Sequence, residues 1–388
     1  YVWDIDNNKY IDYMCGLGPI ILGYADKVIN NSVKNEINLG NIPSLPSLLE
    51  TKLALKLNKL IPCAEMVRFG KNGSDVTQAA IRAARGITGR DKVAICGYHG
   101  WHDWYIGTTT RDLGVPNTIK KLSLKFNYND INSLNDLFKK NKRKIAAVIM
   151  EPTNFIRPKE KFLEKVKDLC EQNNTLLIFD EVITGFRMNI GGAQKVFKVT
   201  PDIACFGKAM ANGFPLSAIV GKKKYMEIFD EVFFSFTFGG ETSAIAASLS
   251  TIEEIKKRGT IKYINTYGND LIKNFNKLAK KYKIENYLKA TGYGWWPLLN
   301  FYDYEGKPSK LLESIFRQEI IRQGILTRSG IFITSSHSKK VFEKTMKIFD
   351  ITLKTIKKGI INNNLKHLLD GKVIEPVIRS ESLKRRKV

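Results

Sequence analysis

The sequence has few cysteines, and their spacing excludes two common kinds of cross-linked protein. Its 388 residues include five cysteines, an odd number with no C-x-x-C pair. This spacing fits neither a disulfide framework nor a zinc site, so we expect buried, reduced thiols. No metal site is expected, since His99 and His102 lie three residues apart without an evident third ligand. The cysteines are Cys15, Cys63, Cys96, Cys170 and Cys205.

Long apolar runs are also missing. No stretch approaches the roughly 18 to 20 residues that a membrane-spanning helix needs, and no N-terminal signal peptide is visible. The first residue is Tyr1 rather than Met, which leaves room for an upstream segment. With 43% hydrophobic and 26% charged residues, the composition is typical of a soluble globular protein. We expect a cytoplasmic protein with no membrane partner.

Acidic residues are scarce relative to basic ones. The chain has 62 Lys and Arg against 38 Asp and Glu, a net charge of +24. A basic nucleic-acid-binding protein would explain this excess. However, the lysines are spread over the whole length, and no basic stripe with interleaved aromatic residues is present. A solvated basic surface is therefore favoured, and nucleic-acid binding stays a distant alternative. The tail at 382–388, SLKRRKV, is only weakly indicative of a targeting or binding tract.

Short apolar runs alternate with helix-length segments along most of the chain. This pattern predicts an α/β fold with a mostly parallel sheet covered by helices on both faces. Helical periodicity is present at 48–61, and a second helix begins near Asp75 and stops at a glycine. The apolar runs are KVAICG, IAAVIM (145–150), TLLIFD (175–180), DIACFG (202–207) and LSAIVG (216–221).

Changes in pattern along the chain divide it into parts. The opening WDIDNNKYIDY predicts a hairpin, because DNNK is a turn-forming cluster between two alternating runs. After about residue 245 lysine-rich helical stretches dominate. We predict an N-terminal hairpin and linker at 1–47 that belongs to a small domain, and a large domain at 48–245. The rest of a small α+β domain follows at 246–365, with a basic, partly disordered tail at 366–388.

One candidate site lies in FGKNGSDVTQAAIRAAR, where a strand turns at Gly73 and Ser74 into a helix. The N-terminus of a helix exposes unpaired N–H groups and the positive end of the helix dipole, which suits a phosphate group. The alternative is that Ser74 or Asp75 merely caps the helix. No G-x-G-x-x-G follows a strand, which argues against a dinucleotide site.

Two further candidates stand at the ends of apolar strands. Asp180 ends TLLIFD, where a carboxylate can ion-pair with a protonated ring nitrogen or accept hydrogen bonds from the following loop. Lys208 follows DIACFG, and burial of its amine would favour the neutral form that condenses with an aldehyde. A phosphate cradle, a carboxylate for a pyridinium nitrogen and a Schiff-base lysine together match the needs of pyridoxal phosphate.

These motifs resemble the class III, fold-type I, pyridoxal-phosphate-dependent aminotransferases, close to the branch that includes glutamate-1-semialdehyde aminomutase. The resemblance runs from the opening segment to about residue 365. It implies an aspartate-aminotransferase-like fold, pyridoxal 5'-phosphate as cofactor and an obligate homodimer. The motifs that carry it are NGSD, GYHGWHDW, IFDEVITGFR, FGKAMANGFPLSAIVG and FTFGGETSAIAA.

The resemblance also implies roles for individual residues. Lys208 would form the internal aldimine and carry a proton between the substrate carbon and the cofactor. Asp180 would keep the pyridine nitrogen protonated. The remaining cofactor contacts would come from Gly73 and Ser74 (phosphate), Tyr98 and Val182 (the two ring faces), Glu151 (ring substituents), His99 (the loop around Tyr98) and Thr237 (the phosphate of the neighbouring subunit).

Two segments depart from the aminomutase pattern. This chain reads SFTFGGETS where those enzymes read like SGTLSGNP, and ANGFPLSAIVG where they read like GGGLPVGAYGG. We therefore predict an aminotransferase that moves an amino group from an amino-acid donor to an aldehyde or keto acceptor. An intramolecular aminomutase is the alternative. Arg328 and Arg157 are candidate partners for a substrate carboxylate.

Overall fold

The computed structural model describes residues 1–375, and these fall into two compact units. Of the described residues, the small unit combines Tyr1–Tyr24 with 255–375, and the large unit is Ala25–Glu254. The sequence placed the corresponding boundaries at 47 and 245. The N-terminal boundary is therefore earlier than predicted, because residues 25–47 include a helix that belongs to the large unit. Most of the predicted basic tail lies outside the described residues.

The described residues form twelve β-strands and thirteen α-helices. The strands are β1 (Val2–Trp3), β2 (Lys9–Asp12), β3 (Met66–Gly70), β4 (Lys92–Cys96), β5 (Ser123–Lys125), β6 (Ile145–Met150), β7 (Leu176–Asp180), β8 (Ile203–Phe206), β9 (Ser217–Gly221), β10 (Leu288–Tyr293), β11 (Trp296–Phe301) and β12 (Ile325–Leu326). The helices are α1 (Lys27–Leu39), α2 (Leu48–Leu60), α3 (Gly73–Thr88), α4 (Asp103–Ile106), α5 (Asn117–Lys120), α6 (Ile131–Lys140), α7 (Phe162–Gln172), α8 (Gly192–Phe197), α9 (Lys223–Met226), α10 (Thr242–Lys257), α11 (Thr260–Lys281), α12 (Lys310–Arg322) and α13 (Lys339–Ile361).

The large unit is built on a seven-stranded sheet in the order β3-β9-β8-β7-β6-β4-β5. The strands from β8 to β5 are parallel, whereas β9 runs antiparallel to both of its neighbours. The predicted α/β class with a mostly parallel sheet is confirmed. The reversed β9 and the three-residue β5 were not predicted, since neither strand direction nor so short a strand has a clear periodic signal.

The central strands are buried along their whole length. All six residues of β6, IAAVIM, are buried, as are all of β7 and β8. A strand covered on both faces is a continuous apolar run rather than an alternating one, which explains the composition of these segments. Sheet strands this well covered form a rigid base for the side chains at their ends.

Helix α3 is the long helix that begins beside this sheet. Its start is fixed by a capping box, in which the Asp75 carboxylate accepts the Asn72 backbone N–H at 2.7 Å. Its last residue is Thr88, and the C-cap residue Gly89 has φ +64°, a left-handed conformation that glycine adopts without strain. The predicted helix is confirmed, but it starts at Gly73 instead of Asp75. Gly73 and Ser74 therefore belong to its first turn.

The small unit contains two separate sheets. The predicted N-terminal hairpin is confirmed, since β1 pairs with β2 in antiparallel register, and β12 adds to β2 in parallel. The strands β10 and β11 form a second antiparallel pair. In the core of the small unit, the Tyr13 hydroxyl lies 2.7 Å from that of Tyr267 and 2.8 Å from that of Thr345.

Within residues 1–375, no helix is long and apolar enough to cross a membrane.

Replacing Ile149 by Ala should destabilise the protein far more than the same change at Ile351. Ile149 is fully buried in β6, and removing its side chain is expected to lower the free energy of unfolding by about 2–5 kcal/mol. Ile351 is 54% exposed on α13, where the loss should be below about 0.5 kcal/mol. Thermal unfolding of both variants measures the difference, and equal losses would contradict the assignment of β6 to the core.

Candidate active site

Three charged residues lie at the same edge of the large sheet, each at or just after the end of a strand. Glu151 comes directly after β6, Asp180 ends β7, and Lys208 lies two residues beyond β8. These three strands are adjacent and parallel, and Asp180 is opposite Cys205 in the pairing of β7 with β8. Because ligands of open α/β sheets bind at the carboxyl ends of the strands, this edge is the candidate active site.

The surroundings of Lys208 lower the pKa of its side-chain amine. Burial lowers the pKa of this amine, Asp180 and Glu151 oppose the decrease, and Arg187 adds to it. The Lys208 backbone has φ +45°, a left-handed conformation that is strained for a residue other than glycine. A partly desolvated amine on a constrained backbone is suited to act as a nucleophile and proton carrier.

Asp180 is buried and is held by two hydrogen bonds. Its Oδ2 lies 2.8 Å from Nδ1 of His99, and its Oδ1 accepts the Val182 backbone N–H at 3.1 Å. His99 is itself fixed by stacking on Trp104 and by packing edge-on against Tyr105. The hydrogen bond between the imidazole and the carboxylate sets the orientation of the carboxylate. The sequence placed His99 at this site but did not predict its contact with Asp180.

Glu151 lies between the Tyr98 loop and Asp180. One of its oxygens accepts the Tyr98 backbone N–H at 3.2 Å. Burial raises the pKa of Glu151 to about 7, with a further increase from Asp180, while His99, the Tyr98 N–H and Lys208 act in the opposite direction. Gly97 has φ +110°, and a Cβ there would lie 2.5 Å from the Glu151 carboxylate. The turn therefore needs glycine so that the carboxylate can approach.

The first turn of α3 opens at the same edge of the sheet. Ser74 is buried, and its Oγ accepts the Trp101 backbone N–H at 3.3 Å. Gly73 lies against Val182, since a Cβ on Gly73 would be 3.0 Å from Val182 Cγ1. The helix start, the Tyr98 loop and the segment after β7 are therefore in mutual contact. This arrangement brings together Gly73, Ser74, Tyr98, His99, Glu151, Asp180, Val182 and Lys208.

Glu181 has a structural role that the sequence did not assign. It is fully buried, and its carboxylate accepts the backbone N–H groups of Ala193 and Gln194 at 2.7 and 3.0 Å, as well as the Thr184 hydroxyl. Gly192 has φ +79°, and its missing side chain leaves room for this carboxylate. Burial raises the pKa of Glu181, while these hydrogen bonds lower it. These contacts fix the loop that follows Asp180. The feature that indicates this role is the burial of the Glu181 carboxylate.

Three predicted residues are not part of this cluster in the single chain. Thr237 is exposed, in a segment rich in phenylalanine before α10. Arg157 is exposed in the loop after β6, where its carbonyl accepts the Asn129 side-chain N–H. Arg328 is exposed and belongs to the small unit.

The residues present fit pyridoxal phosphate. His99 Nε2 and Ser217 Oγ are buried without a hydrogen-bond partner among the described residues. The donor set combines an amine, a buried carboxylate and a hydroxyl at the start of a sixteen-residue helix, which correspond to an aldehyde, a pyridine nitrogen and a phosphate. Within residues 1–375, no group of three His, Cys, Asp or Glu side chains is placed to hold a metal ion. His102 lies at the start of α4, not beside Asp180.

Comparison with known proteins identifies the family of this chain. The family model described as aminotransferase class-III matches residues 1–328, and the chain belongs to this family. Among its curated relatives, 3-aminobutyryl-CoA aminotransferase of Cloacimonas acidaminovorans is 39% identical over 332 residues, covering 84% of this chain and 79% of the relative. Glutamate-1-semialdehyde 2,1-aminomutase of Methanococcus maripaludis is 34% identical, covering 92% of this chain and 90% of the relative.

A solved structure gives the same result for the fold. The FumI protein of Sphingopyxis sp. MTA144, determined in its PLP internal aldimine form, matches with a TM-score of 0.87 and 26% identity. The match covers 95% of this chain and 89% of FumI. Class III aminotransferases depend on pyridoxal phosphate, so this chain is a PLP-dependent enzyme. The predicted resemblance, fold and cofactor are confirmed.

In the cofactor-free protein, Glu151→Gln should flatten the pH dependence of stability. The pKa of Glu151 is raised from 4.5 to about 7 on folding, so the folded protein binds a proton that the unfolded chain has released. Its stabilising contribution is therefore complete below pH 4.5 and is lost as the pH rises through about 7.

Melting temperatures at about pH 5 and about pH 8 measure this effect. The unmodified protein should lose more stability across this range than the Glu151→Gln variant. Glu285→Gln, at an exposed carboxylate, is the control and should retain the original slope. The same slope in Glu151→Gln would show that Glu151 is ionised throughout.

Proposed function

We propose that this enzyme is an aminotransferase that moves an amino group from an amino-acid donor to an aldehyde or keto acceptor. The observation that carries the proposal is the arrangement of the Lys208 amine and the Asp180 carboxylate on adjacent strand ends beside the first turn of α3. When bound, pyridoxal phosphate supplies an aldehyde that links to amines and a ring that accepts electrons from the substrate carbon.

Asp180 and Lys208 would carry the chemistry. Asp180, oriented by His99 at 2.8 Å, would hold a proton on the pyridine nitrogen and so favour electron withdrawal into the ring. Lys208, whose amine has a pKa lowered by burial, would link to the cofactor and then move a proton at the substrate carbon. A single flexible amine can reach both positions.

The neighbouring residues would bind and orient the cofactor. Gly73 and Ser74 would hold the phosphate through the free N–H groups of the first turn of α3 and the Ser74 hydroxyl. Tyr98 and Val182 would contact the two faces of the ring, and Glu151 would lie near its substituents. Arg157 and Arg328 stay proposed partners for a substrate carboxylate.

The alternative is an intramolecular aminomutase, which transfers the amine between adjacent carbons of one substrate. It is supported by the relative with 34% identity, which is a glutamate-1-semialdehyde 2,1-aminomutase. The aminotransferase has the support of a relative with 39% identity that is an aminotransferase, although another aminomutase relative is 38% identical, so the identities alone do not decide between the two reactions. The departures from the aminomutase pattern around Thr237 favour the aminotransferase.

Lys208→Ala should abolish both the visible absorbance of the lysine-linked cofactor and the reaction with donors. The purified holoenzyme is mixed with single donors, beginning with glutamate and alanine, and its spectrum is recorded. One donor should bleach the absorbance, and a keto acid should restore it. Lys195→Ala, at an exposed lysine of α8, is the control and should react like the unmodified enzyme.

Either of two results would change the proposal. Transamination by the Lys208→Ala variant would remove Lys208 from its role. An intact absorbance that no donor shifts would favour the aminomutase, for which the semialdehyde is the next substrate to test.

We also propose that the enzyme is an obligate homodimer in which Thr237 reaches the phosphate of the neighbouring subunit. Two adjacent segments of the large unit expose large apolar side chains. They are joined by hydrogen bonds of Asn41, whose carbonyl and side chain accept the N–H groups of Thr242 and Ser243 at 2.9 and 3.1 Å. The exposed side chains are Ile37, Leu39, Ile42, Leu45, Leu48, Phe233, Phe236 and Phe238. An exposed patch of this kind is typical of an interface.

Mixing two inactive chains should restore activity if Thr237 acts across subunits. A Lys208→Ala chain lacks the amine but has Thr237, whereas a Thr237→Ala chain has the amine but lacks the hydroxyl. In a mixed dimer, one site combines the native Lys208 with the native Thr237. Activity should therefore appear when the two variants are unfolded together and refolded, and not when either is refolded alone. No recovery in mixed dimers would contradict the shared site.

A cytoplasmic location is proposed as well. Its support is that all five cysteines are buried and that their spacing fits no disulfide framework, as expected for a reducing compartment.

A further inference from the structure

A buried ion pair joins the start of α3 to the segment that contains Thr237. Lys71 Nζ lies 2.8 Å from Glu241 Oε2, and the two side chains are only 13% and 9% exposed. Lys71 immediately precedes Asn72 and Gly73 at the start of α3, and Glu241 follows Thr237 by four residues. The pair therefore connects the proposed phosphate-binding turn to residues about 170 positions further along the chain.

Glu241 has a second set of contacts. Its Oε1 accepts the Ser243 backbone N–H at 2.9 Å, and both oxygens lie 3.3 Å from the Ala244 N–H at the start of α10. Burial alone would raise the pKa of Glu241, but the hydrogen bonds from Lys71 and Ser243 lower it. The carboxylate is thus ionised and links the turn before α3 to the first turn of α10, and both helices have sixteen residues.

The segment between these contacts packs on α3 only in part, through Val232 and Phe234, which contact the core cluster that includes α3 residues. A surface groove of about 440 Å³ lies between residues 232–238 and residues 71–82, which comprise the turn before α3 and its first half. Arg82 donates to the Phe233 carbonyl at 2.8 Å, so cations from the α3 side hold the segment near both of its ends. Thr237 lies between these two polar contacts in the sequence, so they restrict its position from both sides.

We propose that the Lys71–Glu241 ion pair is a positioning pair that sets the place of Thr237 relative to the phosphate-binding turn. This inference rests on the proposed function, in which Ser74 binds the phosphate of its own subunit and Thr237 that of its partner. Each chain's phosphate-binding turn is then tied to the segment that it contributes to the other site. Breaking the pair loosens cofactor binding, although neither side chain belongs to the reacting groups.

The test is a double-mutant cycle of Lys71→Met, Glu241→Gln and the double variant, made in the full-length holoenzyme. Glu241→Gln keeps an oxygen that can accept the N–H groups of α10, and Lys71→Met keeps the length of the side chain. Each single change leaves one buried charge unpaired, whereas the double variant leaves none. The measured quantity is the rate of pyridoxal phosphate release, followed by the loss of its visible absorbance.

Each single variant should release the cofactor on the order of tenfold faster, as expected for a coupling contact outside the reacting groups. The double variant should be less impaired than the product of the two single effects. Lys71→Arg, which retains the charge, should release the cofactor at the unmodified rate. The melting temperature of the cofactor-free protein reports separately on loss of stability.

The matched control is the ion pair between Lys222 and Asp202, which has the same 2.8 Å separation in the large unit. Lys222→Met and Asp202→Asn should lower the melting temperature without changing cofactor release. Unchanged release in Lys71→Met and Glu241→Gln would overturn the inference, as would changes no greater than those of the control pair.

Failure of the inference can be told apart from failure of the proposed function. If the unmodified protein did not bind pyridoxal phosphate through Lys208, no absorbance would be present to follow. If Thr237→Ala speeds cofactor release but the Lys71 and Glu241 variants do not, the proposed site stands and only the positioning pair is rejected.

Discussion

The site depends on the parallel pairing of β6, β7 and β8. Their registers bring Glu151, Asp180 and Lys208 to one edge of the sheet, although these residues are separated by 29 and 28 positions in the sequence. The strands are buried along their full length and are therefore hard to deform. The strand ends consequently hold the Lys208 amine and the Asp180 carboxylate near each other, and contacts such as that of His99 with Asp180 orient the side chains.

Three acidic side chains are buried around this edge, and each has a hydrogen-bonding partner. Asp180 is paired with His99, Glu181 with the amides of the loop at 193–194, and Glu241 with Lys71. An unpaired buried charge is strongly unfavourable, so each of these contacts also defines the position of a loop. These paired contacts hold the loops in place and thereby set the geometry of the site. For this reason, the residues that position the site include some that are not reacting groups.

Much of the fold and part of the site could be predicted from the sequence. The central strands are continuous apolar runs and the helix at 73–88 has helical periodicity, while Asp180 and Lys208 stand at the ends of apolar runs, where parallel sheets bind ligands. The reversed direction of β9 and the short β5 could not be predicted, because periodicity contains no information about pairing. Nor could the roles of Glu181 and Glu241, whose partners are distant in sequence or are backbone amides.

The sequence by itself determined the class of the fold and the family, and it predicted residues suited to pyridoxal phosphate. Local hydrophobic patterns are sufficient for the fold class, and the order of the motifs is sufficient for the family. Neither requires knowledge of which distant residues are in contact. Only the tertiary structure decided that His99 supports Asp180, that Glu151 lies beside both, and that Lys71 meets Glu241. These contacts join residues 81 and 170 positions apart. They arise from the packing of whole elements, which no local pattern records.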